Sequence, residues 1–168
     1  MILPKKRDPR LITIRRGDTL LDADHHLLAV WAADCAEHVL HLFEETQPLD
    51  DRPRQAIKLA RAWAWGEITM TQARSDANAA ARDVSGAAKE AAQAAAQAAA
   101  VAHVAAHELG AAVYAIRAVR AAAPKDKRDE AGRLECQWQR AQLPEKIHEL
   151  VLDDQRLRNE LCWFLFEC

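Results

Sequence analysis

The fold is decided by residues 70–123, whose sequence is MTQARSDANAAARDVSGAAKEAAQAAAQAAAVAHVAAHELGAAVYAIRAVRAAA. Nearly half of these residues are alanine, which has the highest intrinsic helix propensity, and this preference adds up over many turns. Ser85-Gly86 is the one plausible break, so the sequence predicts helices at about Thr71–Val84 and Ala87–Ala122. An alanine-faced helix lets neighbouring backbones approach closely, which suits the centre of a helical bundle. A solvated linker helix is the alternative interpretation.

Length and composition indicate one domain. The chain has 168 residues, a formal net charge of -2 and a pI near 6.4. This length is enough for a sizeable core, and the charge argues against a dedicated nucleic-acid binder. Charged residues rather than an apolar signal core follow Met1, and polar side chains interrupt the alanine run, so we expect neither secretion nor a membrane span. The cysteines lack metal-ligand spacing and are predicted to be reduced thiols of a cytoplasmic protein: Cys35, Cys136, Cys162 and Cys168.

Residues 1–18 are predicted to form a basic N-terminal arm, and residues 19–168 a helical domain. Lys and Arg outnumber the acids in the arm, and its two prolines disfavour a helix. The segment Leu11–Ile14 is β-prone and suits an extended path across the bundle. The sequence favours an arm pinned to an acidic helix face over a nucleic-acid-binding tail.

Apolar residues at three- and four-residue spacing predict further helices on both sides of the alanine-rich stretch. One runs from Asp22 to Glu45 and another from Pro53 to Trp65, and the capping-box pair Thr69 and Gln72 precedes the alanine-rich helices. Beyond Ala123, three more are expected: one around Leu134 and Trp138, one that begins at Pro144, and a last one capped by Asp153-Asp154.

The predicted fold class is therefore all-α. We expect a single compact bundle of six or seven helices around a long alanine-rich helix, with an extended basic N-terminal arm. The large residues in apolar helical phase are expected in its core, including four tryptophans: Trp31, Trp63, Trp138 and Trp163.

Trp65 differs from these because periodicity places it on the solvent side of its helix, among Arg54, Lys58 and Arg61. Either another segment covers it, or it is an anchor for a partner, since aromatic and Arg side chains are the commonest hot-spot residues at interfaces. These four residues are the candidate partner-binding site.

Histidines form the second candidate site. His103 and His107 are one helical turn apart in the predicted long helix, a spacing that can present two ligands to one metal, and a second group lies on the first long helix: Asp34, His38 and His41. However, Val104 stands where a metalloprotease motif has Glu. Histidines that bond a neighbouring helix are favoured, with a metal-binding or metalloenzyme bundle as the alternative. No nucleophile elbow or phosphate loop is present, so we predict no catalytic residue and no cofactor.

Five motifs in order along the chain resemble bacterial immunity proteins of the immunity-protein-five-like group. They are KRDPR (6–10), WAADCAEH (31–38), RPRQAI (52–57), AHVAAH (102–107) and LVLDDQRLRN (150–159). The resemblance implies an all-helical cytoplasmic protein that neutralises the cognate toxin of a polymorphic toxin system by direct binding, and it brings no catalytic residue. A metalloenzyme, a nucleic-acid binder using the arm, and a homo-oligomeric scaffold are the alternatives.

Overall fold

The computed structural model describes residues 2–168 and is built from helices. Its α-helices are α1 (Asp22–His38), α2 (His41–Glu44), α3 (Arg52–Ala64), α4 (Ala77–Arg82), α5 (Gly86–Ala100), α6 (Glu108–Ala122), α7 (Arg128–Ala141) and α8 (Glu145–Arg158). No β-strand occurs in residues 2–168, so the all-α prediction is confirmed, with eight helices instead of six or seven. None of these helices combines the length and the apolar character that crossing a bilayer requires.

The helices α5 and α6 form the centre of the bundle, and together they replace the predicted helix Ala87–Ala122. That prediction is wrong because the α-helix is interrupted within residues 101–107, where Val104 is extended (φ -145°, ψ 109°) and a 3-10 turn follows it. A continuous helix would be about 54 Å long at 1.5 Å per residue, whereas a compact domain of this length is roughly 40 Å across. Two shorter helices can instead bury their alanine faces against each other and against α1, α3 and α7.

The start of the alanine-rich region also differs from the prediction. Half of the capping box forms, because the Thr69 amide donates to Gln72 Oε1 at 2.8 Å while the Gln72 amide donates to the Thr69 carbonyl instead of the hydroxyl. These bonds close a single turn and do not begin a helix. The Ser75 hydroxyl accepts the Ala77 amide at 3.1 Å, and the helix begins there. The predicted helix Thr71–Val84 is therefore shortened to α4.

The first long helix ends earlier than predicted, at His38, and a turn separates it from α2. Helical spacing predicts a core face of Leu28, Trp31, Cys35, Val39 and Leu42; the first four are fully buried, and Leu42 is half-buried. This face packs on α3, α5 and α6.

The C-terminal region contradicts two predictions. The helix predicted to begin at Asp153-Asp154 is absent from the described residues, because α8 runs through both aspartates and Asp154 pairs with Arg158 one turn later instead of capping. Residues 159–166 form turns. Trp163 is consequently 45% exposed instead of buried, while Trp31 is fully buried and Trp63 and Trp138 are half-buried.

The prediction of four reduced thiols is wrong. Cys136 of α7 and Cys168 form a disulfide, with their Cα atoms 6.0 Å apart, because the chain after α8 folds back over α7. Cys35 and Cys162 are free thiols and buried.

The N-terminal arm is extended only in part. It contains two short 3-10 turns, Pro9–Leu11 and Ile14–Arg16. The two residues between them have extended backbone, and Thr13 forms an isolated β-bridge with Leu20. Leu11 is buried against the bundle, and Arg10 contacts Asp153 of α8 at 2.7 Å, in line with an arm pinned to acidic groups. The boundary at residue 18 between the N-terminal arm and the helical domain stays a prediction.

Candidate partner-binding surface

The outer face of α3 carries a row of four side chains, one per turn, and the row ends at the C-cap of the helix. Arg54, Lys58, Arg61 and Trp65 are spaced by four, three and four residues, so they share one helix face. Trp65 is 64% exposed, and Gly66, with a φ of 75°, ends the helix directly after it. No segment within residues 2–168 covers this indole. We call these four residues the Trp65 stripe.

The arginines of the Trp65 stripe are held in place by carboxylates of α1 and α2. The Arg61 guanidinium donates to Asp34 Oδ1 at 2.7 Å and to Glu37 Oε2 at 2.6 Å. Arg54 donates to both carboxylate oxygens of Glu44, at 2.6 and 2.8 Å. The hydrogen bond from Arg61 holds the pKa of Glu37 below its usual range, so the pair stays charged at neutral pH.

The Trp65 stripe is therefore a neutralised surface beside an aromatic side chain, not the cationic face that the sequence suggests. Lys58 has no ion pair among the described residues. A tryptophan side chain can bury roughly 150–250 Å², and arginines already fixed by neighbouring carboxylates lose little further freedom on binding. Such an arrangement can bind another surface but contains no nucleophile or paired acid and base.

The structure does not place His103 and His107 on one helical turn. Both lie in the connection between α5 and α6, where Val104 interrupts the helix. His107 Nδ1 lies 2.7 Å from Gln97 Oε1 of α5, and burial lowers the pKa of the imidazole to about 4. A neutral histidine that bonds a neighbouring helix is the arrangement favoured by the sequence.

The second histidine group is dispersed among other partners. Asp34 contacts Arg61, while His38 Nδ1 lies 2.7 Å from Glu135 Oε2, and the His38 ring stacks on Trp138 with centroids 3.6 Å apart. His41 is exposed. Across residues 2–168, no three His, Cys, Asp or Glu side chains come together in a geometry suited to a metal ion. The five residues of the alternative metal interpretation do not form one site.

Sequence reasoning missed a buried ion cluster. Arg158 Nη2 lies 3.0 Å from Glu108 Oε1, Arg158 Nε donates to Asp154 Oδ1 at 2.9 Å, and Arg158 Nη1 donates to the Ala106 carbonyl at 2.9 Å. All three charged side chains are almost completely buried, and burial raises the pKa of the Glu108 carboxyl well above its usual range. The four-residue spacing of Asp154 and Arg158 was a usable signal, whereas Glu108 is distant in sequence. The cluster ties α6 to α8.

The protein is thus an all-α bundle, and its candidate site is an exposed surface instead of a cleft with reactive groups. Comparison with family models gives a more specific result, because residues 18–146 match the family described as "Imm-5 like putative immunity protein". The match covers most of the chain, and the protein belongs to this family. Comparisons with curated proteins and with solved structures found no match.

Proposed function

We propose that this protein neutralises a cognate toxin by binding it directly, without catalysing a reaction. The observation that carries the proposal is membership of an immunity-protein family over residues 18–146. An immunity protein that acts by occlusion needs a rigid surface of roughly 800 Å² to cover its partner. The fixed arginines and exposed indole of the Trp65 stripe suit that role.

Within this surface, we propose Trp65 as the anchor. Hot-spot residues are most often Trp, Tyr and Arg, and they lie in the middle of a ring of polar contacts that excludes water. The Trp65 stripe has this composition, because the indole shares a helix face with the ion pairs between Arg54 and Glu44 and between Arg61 and Glu37. Lys58 would supply a positive charge to a carboxylate of the toxin.

The test uses cells that express the toxin encoded next to this protein. Co-expression of the wild type should restore growth, and Trp65→Ala should lower the affinity by about 2 kcal/mol or more with nearly unchanged thermal stability. Leu49→Ala is the matched control, since Leu49 is 99% exposed but lies outside the stripe, and it should protect like the wild type. A Trp65→Ala protein that melts earlier and binds normally would make Trp65 a structural residue.

We place this encounter in the cytoplasm, following the sequence and the family resemblance. The disulfide between Cys136 and Cys168 is instead typical of oxidising compartments. Fractionation of the producing cell, with marker proteins for each compartment, tests the location: recovery with cytoplasmic markers supports it, and recovery outside the cytoplasm contradicts it.

A further inference from the structure

The turn after α8 places two bulky aromatic residues in the left-handed backbone region. Trp163 has a φ of 55° and Phe164 a φ of 58°. Large side chains rarely adopt this region, because the Cβ atom crowds the following carbonyl oxygen. Strained backbone of this kind is found preferentially at functional sites, where the surrounding structure holds it in place.

The surrounding contacts do hold this turn. The Phe164 amide donates to the Asn159 carbonyl at 2.8 Å, the Phe166 amide donates to Asn159 Oδ1 at 3.1 Å, and Arg140 donates to the Phe166 carbonyl at 2.8 Å. Phe166 and Cys162 are buried beneath the turn. The strained segment is therefore an ordered part of the fold.

The result of this geometry is two exposed aromatic side chains, of which Trp163 lines one surface cleft and Phe164 lines the cleft next to it. Phe164 is 58% exposed and Trp163 is 45% exposed, although both lie between the buried residues Cys162 and Phe166. A turn with ordinary backbone angles and polar residues would close the chain at lower cost. Exposed apolar clusters with a polar surround mark interaction sites.

A cleft of about 540 Å³ lies beside Trp163 and has an excess of positive charge. Three arginines and one glutamate supply its charged groups: Arg117, Arg120, Arg128 and Glu90. The Arg117 guanidinium lies 4.3 Å from the Trp163 ring centroid and donates to Glu90, while Arg120 pairs with the exposed Asp129. Arg128 has no ion pair among the described residues.

We propose that the aromatic pair Trp163 and Phe164, together with this cleft, is a contact surface for the toxin, which would offer an apolar recess flanked by carboxylates. The occupant follows from the cleft, since its excess of arginine favours acidic groups and the guanidinium of Arg128 is free to bind a carboxylate in a bidentate way. The inference rests on the proposed function and adds a second surface to it. Part of this surface lies beyond the matched residues 18–146.

The experiment titrates the protein encoded by the neighbouring gene with wild type, Trp163→Gly and Phe164→Gly. Glycine accepts a positive φ without strain, so both variants should stay folded by circular dichroism. Their binding should weaken by about 30-fold or more. Arg128→Gln, a surface change that leaves the turn intact, should weaken binding about tenfold, with a smaller dependence on salt. Leu49→Ala should bind like the wild type.

The outcomes separate this inference from the proposed function. Wild-type affinity in all three variants, with binding lost in Trp65→Ala, would overturn the inference and leave the proposed function standing. Absence of wild-type binding and protection would overturn both. A dimer of the wild type that Trp163→Gly dissolves, with toxin binding unchanged, would assign the surface to self-association and overturn the inference.

Discussion

At the scale of single residues, Arg158 has the largest predicted effect on stability. Its buried guanidinium pairs with Asp154, contacts Glu108 and donates to the Ala106 carbonyl. Removing one member of a buried ion cluster leaves charges without compensation, which costs about 3–5 kcal/mol. We expect Arg158→Met, which keeps the side-chain volume, to lower the free energy of unfolding by this amount in urea denaturation.

The matched control is Arg156→Met, two residues earlier. Arg156 is exposed and pairs with Asp153, so its contribution should be below about 1 kcal/mol. Equal effects of the two substitutions would show that the Arg158 cluster is not buried as described.

At the scale of elements, Gly110 of α6 leaves room for the Gln97 side chain of α5. A Cβ atom at this position would lie 2.3 Å from Gln97 Oε1 and 2.9 Å from Gln97 Cδ. Gly110→Ala should therefore displace Gln97 from His107, and such overpacking costs about 1–3 kcal/mol. In a Gln97→Ala background the clash is absent, and alanine should stabilise the helix by up to about 1 kcal/mol over glycine.

A double-mutant cycle measures this coupling from the unfolding free energies of the four proteins. Additive effects of Gly110→Ala and Gln97→Ala would contradict the close contact between the Gln97 side chain and Gly110.

The disulfide between Cys136 of α7 and Cys168 is tested by counting free thiols. Burial raises the pKa of the Cys162 thiol to about 12, so the chain must be unfolded for titration. Protein kept without reductant should give two thiols, from Cys35 and Cys162, and four after reduction. Cys136→Ser should give three without reductant, because Cys168 is then free. Four thiols in the unreduced wild type would restore the prediction of reduced cysteines.

Some of the helices could be predicted from the sequence, and others could not. The core face of α1 was predictable because large residues such as Trp31 recur at helical spacing, and the bounds of α3 were predictable from Pro53 and Gly66. The break at Val104 was not, because alanine favours helix equally in one long helix or in two short ones. The exposure of Trp163 was missed because helical phase has meaning only where the chain stays helical.

The candidate site was predictable only in part. Periodicity placed Trp65 in solvent, and the structure has it there. The ion pairs that neutralise Arg54 and Arg61 join residues from separate helices, so no local sequence pattern predicts them. Whether the Trp65 stripe binds a partner remains a prediction.

At the scale of the whole molecule, α5 and α6 provide a rigid alanine-rich centre, and the surrounding helices expose the Trp65 stripe. The chain belongs to a family described as immunity proteins, and we propose that it works by occupying a toxin's surface. A rigid bundle suits this task because little conformational entropy is lost on binding.

The most direct test of this claim is a calorimetric titration of the purified protein with the toxin encoded by the neighbouring gene. We expect saturable, stoichiometric binding that Trp65→Ala weakens by about 2 kcal/mol or more and that Leu49→Ala leaves unchanged. No detectable binding to the neighbouring toxin, together with no protection of cells that express it, would contradict the claim.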